Sequence, residues 1–138
     1  MELAADIKIL KEISDRLCNI KLRSDGILQF NTIKNVEYSK DEAVIVINNI
    51  INIAEGNQYY ILVIAEDTSN VTVEGMRLLS SAPAMSYALA KAYVINSIPH
   101  KMMANFYLKF LKPEKSVRFF RSQVETEKWL KSLKNYAI

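Results

Sequence analysis

The sequence predicts an α/β fold with a mixed, largely parallel sheet that starts with an N-terminal antiparallel hairpin and carries helices on its faces. Three observations predict it. Residues 18–30 alternate apolar and polar side chains on both sides of an Asp-Gly turn, which is typical of a hairpin. Residues 59–65, YYILVIA, form an unbroken apolar run, as in a strand covered on both faces. Helical and strand patterns then alternate, which favours parallel strands joined by helices.

The hairpin pattern places Cys18, Ile20 and Leu22 on one side of the first strand, and Leu28 and Phe30 on one side of the second. Residues 1–15 form an N-terminal extension to this pattern. Its segment DIKILKEI fits either an edge strand or a short helix. The whole chain of 138 residues has the length of one domain.

A long helix is predicted within SKDEAVIVINNIINIAEG, although its Ile and Val residues also favour strands. Ser39 and Glu42 have the spacing of a capping box, and Gly56 stands where a helix end often needs a positive φ. The predicted buried side consists of Ala43, Val46, Ile47, Ile50, Ile51 and Ala54. The predicted opposite side consists of Asn48, Asn49 and Asn52.

Later elements follow the same logic. Thr72 is the predicted N-cap of a short helix, LAKAYVIN is a predicted strand, and Ser97 is the predicted N-cap of a helix with Pro99 in its first turn. SVRFFRS is a predicted strand, and a second capping box of Ser122 and Glu125 opens the last helix. The predicted order is β-β-α-β-α-β-α-β-α.

With this order of elements, the chain resembles a STAS domain, the fold of sulfate-transporter cytoplasmic domains and anti-sigma-factor antagonists. More narrowly, it is similar to small bacterial STAS/SEC14-like proteins. Three stretches carry the resemblance, which covers roughly residues 16–135: SDGILQF, EDTSNVTVEGMRLL and MMANFYLKFLKPEKSVRFFRSQVETEKWLKSL. The resemblance implies a regulatory domain without catalytic activity that acts through protein contact. SEC14-like relatives bind lipids, so a small apolar ligand is the alternative.

The resemblance also directs attention to a cluster at one edge of the predicted sheet. In phosphoregulated antagonists, a serine at the start of the helix after the central strand is modified, and Thr72 stands at that place without the Asp-Ser-Ser-Gly-like motif. Strand ends and helix N-termini at such an edge favour ligands and anions. The candidate contact or phosphorylation residues are Asp67, Thr68, Ser69, Thr72, Arg77, Asn96 and Ser97. Turn formation and helix capping explain the same residues, and catalysis is a third interpretation.

A stripe of large apolar residues in the helix after Ser97 indicates either core packing or the lining of an apolar ligand pocket. Methionine suits irregular pockets because its side chain is flexible and polarisable. The candidate lining residues are Met102, Met103, Phe106 and Phe110.

Other classes of function have little support in the sequence. His100 is the single histidine and Cys18 the single cysteine, so no metal site, catalytic pair or disulfide is expected, and no cofactor motif is found. No segment of the sequence is apolar over the ~20 residues needed to cross a bilayer, no signal peptide is recognised, and a cytoplasmic location is expected.

Residues 97–138 carry nine Lys or Arg against three Asp or Glu, which could serve an anionic partner. The predicted basic cluster consists of Lys101, Lys109, Lys112, Lys115, Arg118 and Arg121. Nucleic acid is not expected, because one of Phe119 and Phe120 must face the core rather than stack on bases. The expected partner is a protein, and a homodimer through the hairpin edge or the terminal helix is a further expectation.

Overall fold

A six-stranded mixed sheet forms the centre of the protein, in a computed structural model that describes residues 6–111 and 116–136. The strands in chain order are β1 (Ile9–Ser14), β2 (Asn19–Arg23), β3 (Ile27–Asn31), β4 (Glu37–Tyr38), β5 (Tyr59–Ile64), β6 (Asn70–Val71), β7 (Ala88–Val94) and β8 (Val117–Phe120). The large sheet has the order β1-β2-β3-β5-β7-β8, and β4 pairs with β6 in a separate parallel ladder.

Helices cover both faces of the large sheet. They are α1 (Lys40–Ala54), α2 (Val73–Leu79), α3 (Ala82–Met85), α4 (Ile98–Phe106) and α5 (Gln123–Tyr136), and a π-helical segment, Tyr107–Leu111, continues α4. Helices α1 to α4 lie on one face, where α1 packs against Ile20, Leu28 and Ile61. Helix α5 lies on the other face, where Leu130 packs against Leu62.

The predicted fold class is confirmed. Strands β1, β2 and β3 are antiparallel neighbours, whereas β3, β5, β7 and β8 run parallel. The N-terminal segment that fits either a strand or a helix is a strand, β1, and it pairs with the outer side of the hairpin. The hairpin edge that the sequence offered for dimerisation is therefore already covered by β1.

The hairpin forms as its pattern predicts. Ile20, Leu22, Leu28 and Phe30 are buried together under α1. The turn between the strands needs a positive φ, and Gly26 supplies it with a φ of 83°.

Helix α1 begins as predicted, because the Glu42 carboxylate accepts a hydrogen bond from the Ser39 backbone N–H at 3.1 Å. Its buried side differs in part from the prediction. Ile51 is exposed and Ile53 is buried in its place. Asn49, expected on the outer side, reaches inward and donates from Nδ2 to the Cys18 sulfur at 3.3 Å. The buried stripe is therefore rotated slightly around the helix relative to the predicted one.

Candidate functional site

The loops after β5 and β7 lie side by side, as expected for neighbouring parallel strands whose last residues, Ile64 and Val94, are in register. A hydrogen bond joins the two loops. His100 Nε2 lies 2.6 Å from the backbone oxygen of Ser69, and because a carbonyl only accepts, Nε2 carries the proton. The start of α4 is thereby attached to the loop after β5.

Ser69 is the interior anchor of that loop. Its hydroxyl donates to the Glu66 carbonyl at 2.7 Å and lies 2.7 Å from the Thr32 hydroxyl. The Thr32 hydroxyl in turn accepts a hydrogen bond from the Glu66 N–H at 2.7 Å. Only 2% of Ser69 is exposed. This burial removes Ser69 from the predicted contact surface, because its polar atoms are used to close the loop.

Asp67 and Thr68 form the exposed tip of the loop. The Thr68 hydroxyl donates to Glu66 Oε2 at 2.6 Å and lowers the pKa of that carboxyl, and it accepts from the Asn35 N–H at 3.0 Å. The tip is therefore held by its own hydrogen bonds while its outer surface stays open to a partner.

Thr72 and Ser97 are helix caps, as predicted. Thr72 Oγ1 accepts from the Gly75 N–H at 3.0 Å, and Ser97 Oγ accepts from the His100 N–H at 3.2 Å. Gly75 is required by close packing, because a Cβ there would lie 2.3 Å from the Tyr38 backbone oxygen. Two further predicted residues, Arg77 and Asn96, are exposed near these caps.

The apolar stripe of α4 is divided between two sides of the helix. Met103 faces inward and lines a cavity, whereas Ile98, Met102 and Phe110 are 71%, 67% and 61% exposed. The ring of Phe106 lies 4.9 Å from that of Phe110, so Ile98, Met102, Phe106 and Phe110 form one row at four-residue spacing, here called the α4 ridge. Of the four predicted lining residues, Met103 lines the cavity, whereas Met102 and Phe110 face outward and Phe106 is not part of the cavity wall.

Beneath α4, a cavity of about 90 Å³ separates the helices from the sheet. Strands β3, β5 and β7 form its floor, and side chains of α1, α2 and α4 form its other walls. The wall residues from the helices are Val46, Ile50, Met76, Leu79, His100, Met103 and Ala104. His100 Nδ1 is buried and has no hydrogen-bond partner among the described residues.

Lys91 of β7 lines the same cavity and is only 4% exposed. Its ammonium lies 5.5 Å from the centre of the Tyr93 ring, and burial raises the pKa of the Tyr93 phenol. Among residues 6–111 and 116–136, no carboxylate forms an ion pair with Lys91. Sequence reasoning missed Lys91, although a lysine inside the apolar strand LAKAYV is a visible signal.

A second buried cation, Arg23, lies on the opposite face of the sheet. Its guanidinium donates to Glu127 at 3.1 and 3.3 Å, to Asp25 at 2.7 and 3.1 Å, and to Gln29 at 3.1 Å. Gln123 Nε2 donates to Glu127 at 2.8 Å, and Lys131 lies 3.6 Å from Asp25. This group, here called the Arg23 network, connects the hairpin turn to α5. No pattern in the sequence predicted it.

The two aromatic rings of β8, Phe119 and Phe120, are both packed and offer no free stacking surface. Phe119 stacks on Tyr93 at 4.8 Å, and Phe120 packs against Trp129 at 5.9 Å on the other face. The Arg118 guanidinium lies over Phe120 and Trp129. Of the predicted basic cluster, Lys112 and Lys115 lie outside the described residues.

The described residues contain neither a metal-ligand cluster nor a membrane-spanning helix. No group of three or more His, Cys, Asp or Glu side chains within 6–111 and 116–136 could hold a metal ion. None of the helices in that part of the chain has the length and apolarity needed to span a bilayer.

Comparison with known proteins places the chain in one family. Residues 20–134 match the family described as Domain of unknown function (DUF7793), and because the match covers most of the chain, the protein belongs to this family. No curated protein and no solved structure matches the chain.

Proposed function

We propose that the protein is a non-catalytic, regulatory interaction domain that binds a protein partner through the α4 ridge and the adjoining strand-end loops. The observation that carries this proposal is the exposure of Ile98, Met102 and Phe110 in one row. Large contiguous apolar surface is uncommon on soluble domains unless a partner covers it. The resemblance to STAS domains, which act through protein contacts, supports the same role.

The backbone of the ridge adds support. The π-helical segment, Tyr107–Leu111, carries Phe110, whose ring lies against Phe106. Such segments carry a cost in hydrogen-bond geometry and are found often at functional sites. The distortion therefore lies at the C-terminal end of the ridge.

The charge around the ridge favours an acidic partner. Lys101 and Lys109 are exposed on the same helical segment, and the Lys109 ammonium lies 5.5 Å from the centre of the Phe110 ring. Complementary charge at the rim of an interface speeds association and selects partners. We therefore expect a partner whose apolar contact residues are surrounded by Asp and Glu. A second copy of the chain is the homodimer version of this proposal.

The strand-end loops extend the surface, because His100 ties the ridge helix to the loop that exposes Asp67 and Thr68. Thr72 is the hydroxyl in this region that the resemblance implies as a phosphorylation site. Its neighbour Arg77 is exposed and basic. The proposal includes a cytoplasmic location, because the buried Cys18 is a free thiol.

The test is affinity capture from the native host with the full chain, comparing the wild type with the double variant Met102→Asp/Phe110→Asp. Both positions are exposed, so the fold should tolerate the change. We expect the double variant to lose the captured partner. Sedimentation of the purified wild type and double variant detects a homodimer held by the same ridge.

Val44→Asp is the matched control, because Val44 is an exposed apolar residue on α1, away from the ridge. The control should retain every specific partner. If the double variant and the control capture the same proteins as the wild type and sediment alike, the ridge is not the contact surface.

Small-ligand binding is the second candidate function, and the cavity beneath α4 favours it. A volume of about 90 Å³ is far below the ~300–1,000 Å³ of pockets for drug-sized ligands. The cavity is therefore too small for a lipid, and the ligand in this second candidate function is a molecule of a few heavy atoms.

A further inference from the structure

Lys91 is buried beside the cavity, and within residues 6–111 and 116–136 no carboxylate forms an ion pair with it. An unpaired ammonium in an apolar interior is costly, and proteins normally pair such a group or bind something to it. The Tyr93 ring offsets part of that cost through a cation–π contact. A ring face supplies no oxygen acceptor for the N–H donors of the ammonium.

A second polar side chain lines the same cavity. His100 is part of the cavity wall, and its Nδ1 is buried with no hydrogen-bond partner among the described residues.

Most of the rest of the cavity wall is hydrocarbon, including Val46, Ile50 and Met103, and Thr32 and Asn70 add polar atoms. Such a wall accepts carbon and rejects a hydrated ion. An apolar cavity of about 150 Å³ holds benzene, which has six heavy atoms, so about 90 Å³ has room for roughly four heavy atoms. The site therefore combines one cationic end with a small apolar body.

We propose that this cavity binds a short monocarboxylate of about four heavy atoms, the size of acetate, with its carboxylate on Lys91 and its methyl group against Val46, Ile50 and Met103. The carboxylate supplies acceptor oxygens to the ammonium. This inference names the ligand class of the second candidate function and is independent of the contact proposed for the α4 ridge.

The experiment titrates the ¹⁵N-labelled full chain with acetate and, separately, with acetamide, at constant ionic strength set with sodium chloride. The two probes have almost the same shape, and only acetate is charged. We expect acetate to bind at least ~10-fold more tightly, because a charge-assisted hydrogen bond is stronger than a neutral one. The amide shifts should centre on β5, β7 and α4.

Two variants complete the test. Lys91→Met should remove the preference for acetate, whereas Ala104→Leu, which fills the cavity from α4, should abolish binding of both probes. The ¹⁵N spectrum of each variant reports whether it is folded. If Lys91→Met does not fold, Ala104→Leu with the two probes on the wild type still decides the question.

Equal binding of the two probes to the wild type would overturn the role of Lys91. Absence of binding, or shifts away from the cavity, would overturn the site itself. Displacement of acetate by chloride at equal concentration would show an anion site indifferent to carbon, which also contradicts the proposal. None of these outcomes depends on the ridge variants, so the two proposals can fail separately.

Discussion

Among the described residues, two cations are buried in the sheet, one on each face, and the chain accommodates them differently. Arg23 donates five hydrogen bonds to Asp25, Glu127 and Gln29. Lys91 has the Tyr93 ring beside it and no paired carboxylate in residues 6–111 and 116–136. The two regions therefore differ in that the charge of Arg23 is paired with carboxylates, whereas the charge of Lys91 has no carboxylate partner among the described residues.

The difference also has a geometric reason. The planar guanidinium of Arg23 presents a fixed fork that matches two carboxylates, and it connects the hairpin turn to α5. Lys91 carries a compact charge on a flexible stem and faces a cavity instead of a packed helix. The guanidinium of Arg23 suits a structural ion pair, and the ammonium of Lys91 suits the ligand site that we propose.

The largest expected effect comes from breaking the Arg23 network. Arg23→Met removes the guanidinium that Asp25 and Glu127 share, and removal of one partner of a buried pair costs about 3–5 kcal/mol in the free energy of unfolding. Urea denaturation measures the loss. The double variant Arg23→Met/Glu127→Leu should recover most of it, and an equal loss in both variants would mean that packing, not charge, is responsible.

Acid should weaken the same network. Burial is the largest single influence on Asp25 and Glu127 and raises their pKa, but the hydrogen bonds and charges of Arg23 and Lys131 with the other donors together outweigh it, so both pKa values lie below their ordinary 3.8 and 4.5. The stabilisation is complete above the ordinary values and is lost as the pH falls through the lowered ones. The stability gap between wild type and Arg23→Met should therefore be constant near neutral pH and narrow as the pH falls below about 4. A gap that stays constant in acid would contradict this assignment.

Lys91→Met should have the opposite sign to Arg23→Met. It removes an unpaired charge and leaves an apolar chain of similar length, so we expect a gain of about 1–3 kcal/mol in the free energy of unfolding. The measurement is urea denaturation without added carboxylate. A loss of stability would mean that the cation–π contact with Tyr93 outweighs the cost of burial.

Thr72→Ala provides the smallest effect and a reference outside both regions. The loss of an N-cap costs about 1 kcal/mol, because the Gly75 N–H loses its acceptor. Capture of the partner should be unchanged if Thr72 acts only as a cap. Loss of the partner in Thr72→Ala, with the fold intact, would instead assign Thr72 a direct role in the contact.

Much of the fold could be predicted because its signals are local. The capping residues Ser39, Thr72 and Ser97 lie within three positions of the groups they satisfy, and the Asp-Gly turn defines its own hairpin. The alternation of strands and helices then restricts the sheet to few topologies. These features depend on neighbours in sequence, so the sequence contains the necessary information.

The candidate sites could be predicted only in part. The sequence predicts that the loops after β5 and β7 are neighbours, because the carboxyl ends of parallel strands lie at the same edge of a sheet. It does not predict the burial of Ser69, whose hydroxyl contacts that of Thr32, 37 positions away. The outward direction of Met102 and Phe110 depends on how α4 rotates against the sheet. Helical spacing identifies a stripe without saying which side of it meets the core.

The sequence by itself therefore determined the α/β class, the helix caps, the hairpin and the strand-end edge, because each follows from local hydrogen bonding and side-chain period. Tertiary structure alone decided the pairing of Arg23 with Glu127, 104 positions apart, and the isolation of Lys91 above a cavity. Charge pairing acts through space, and its partners are chosen only when distant segments pack.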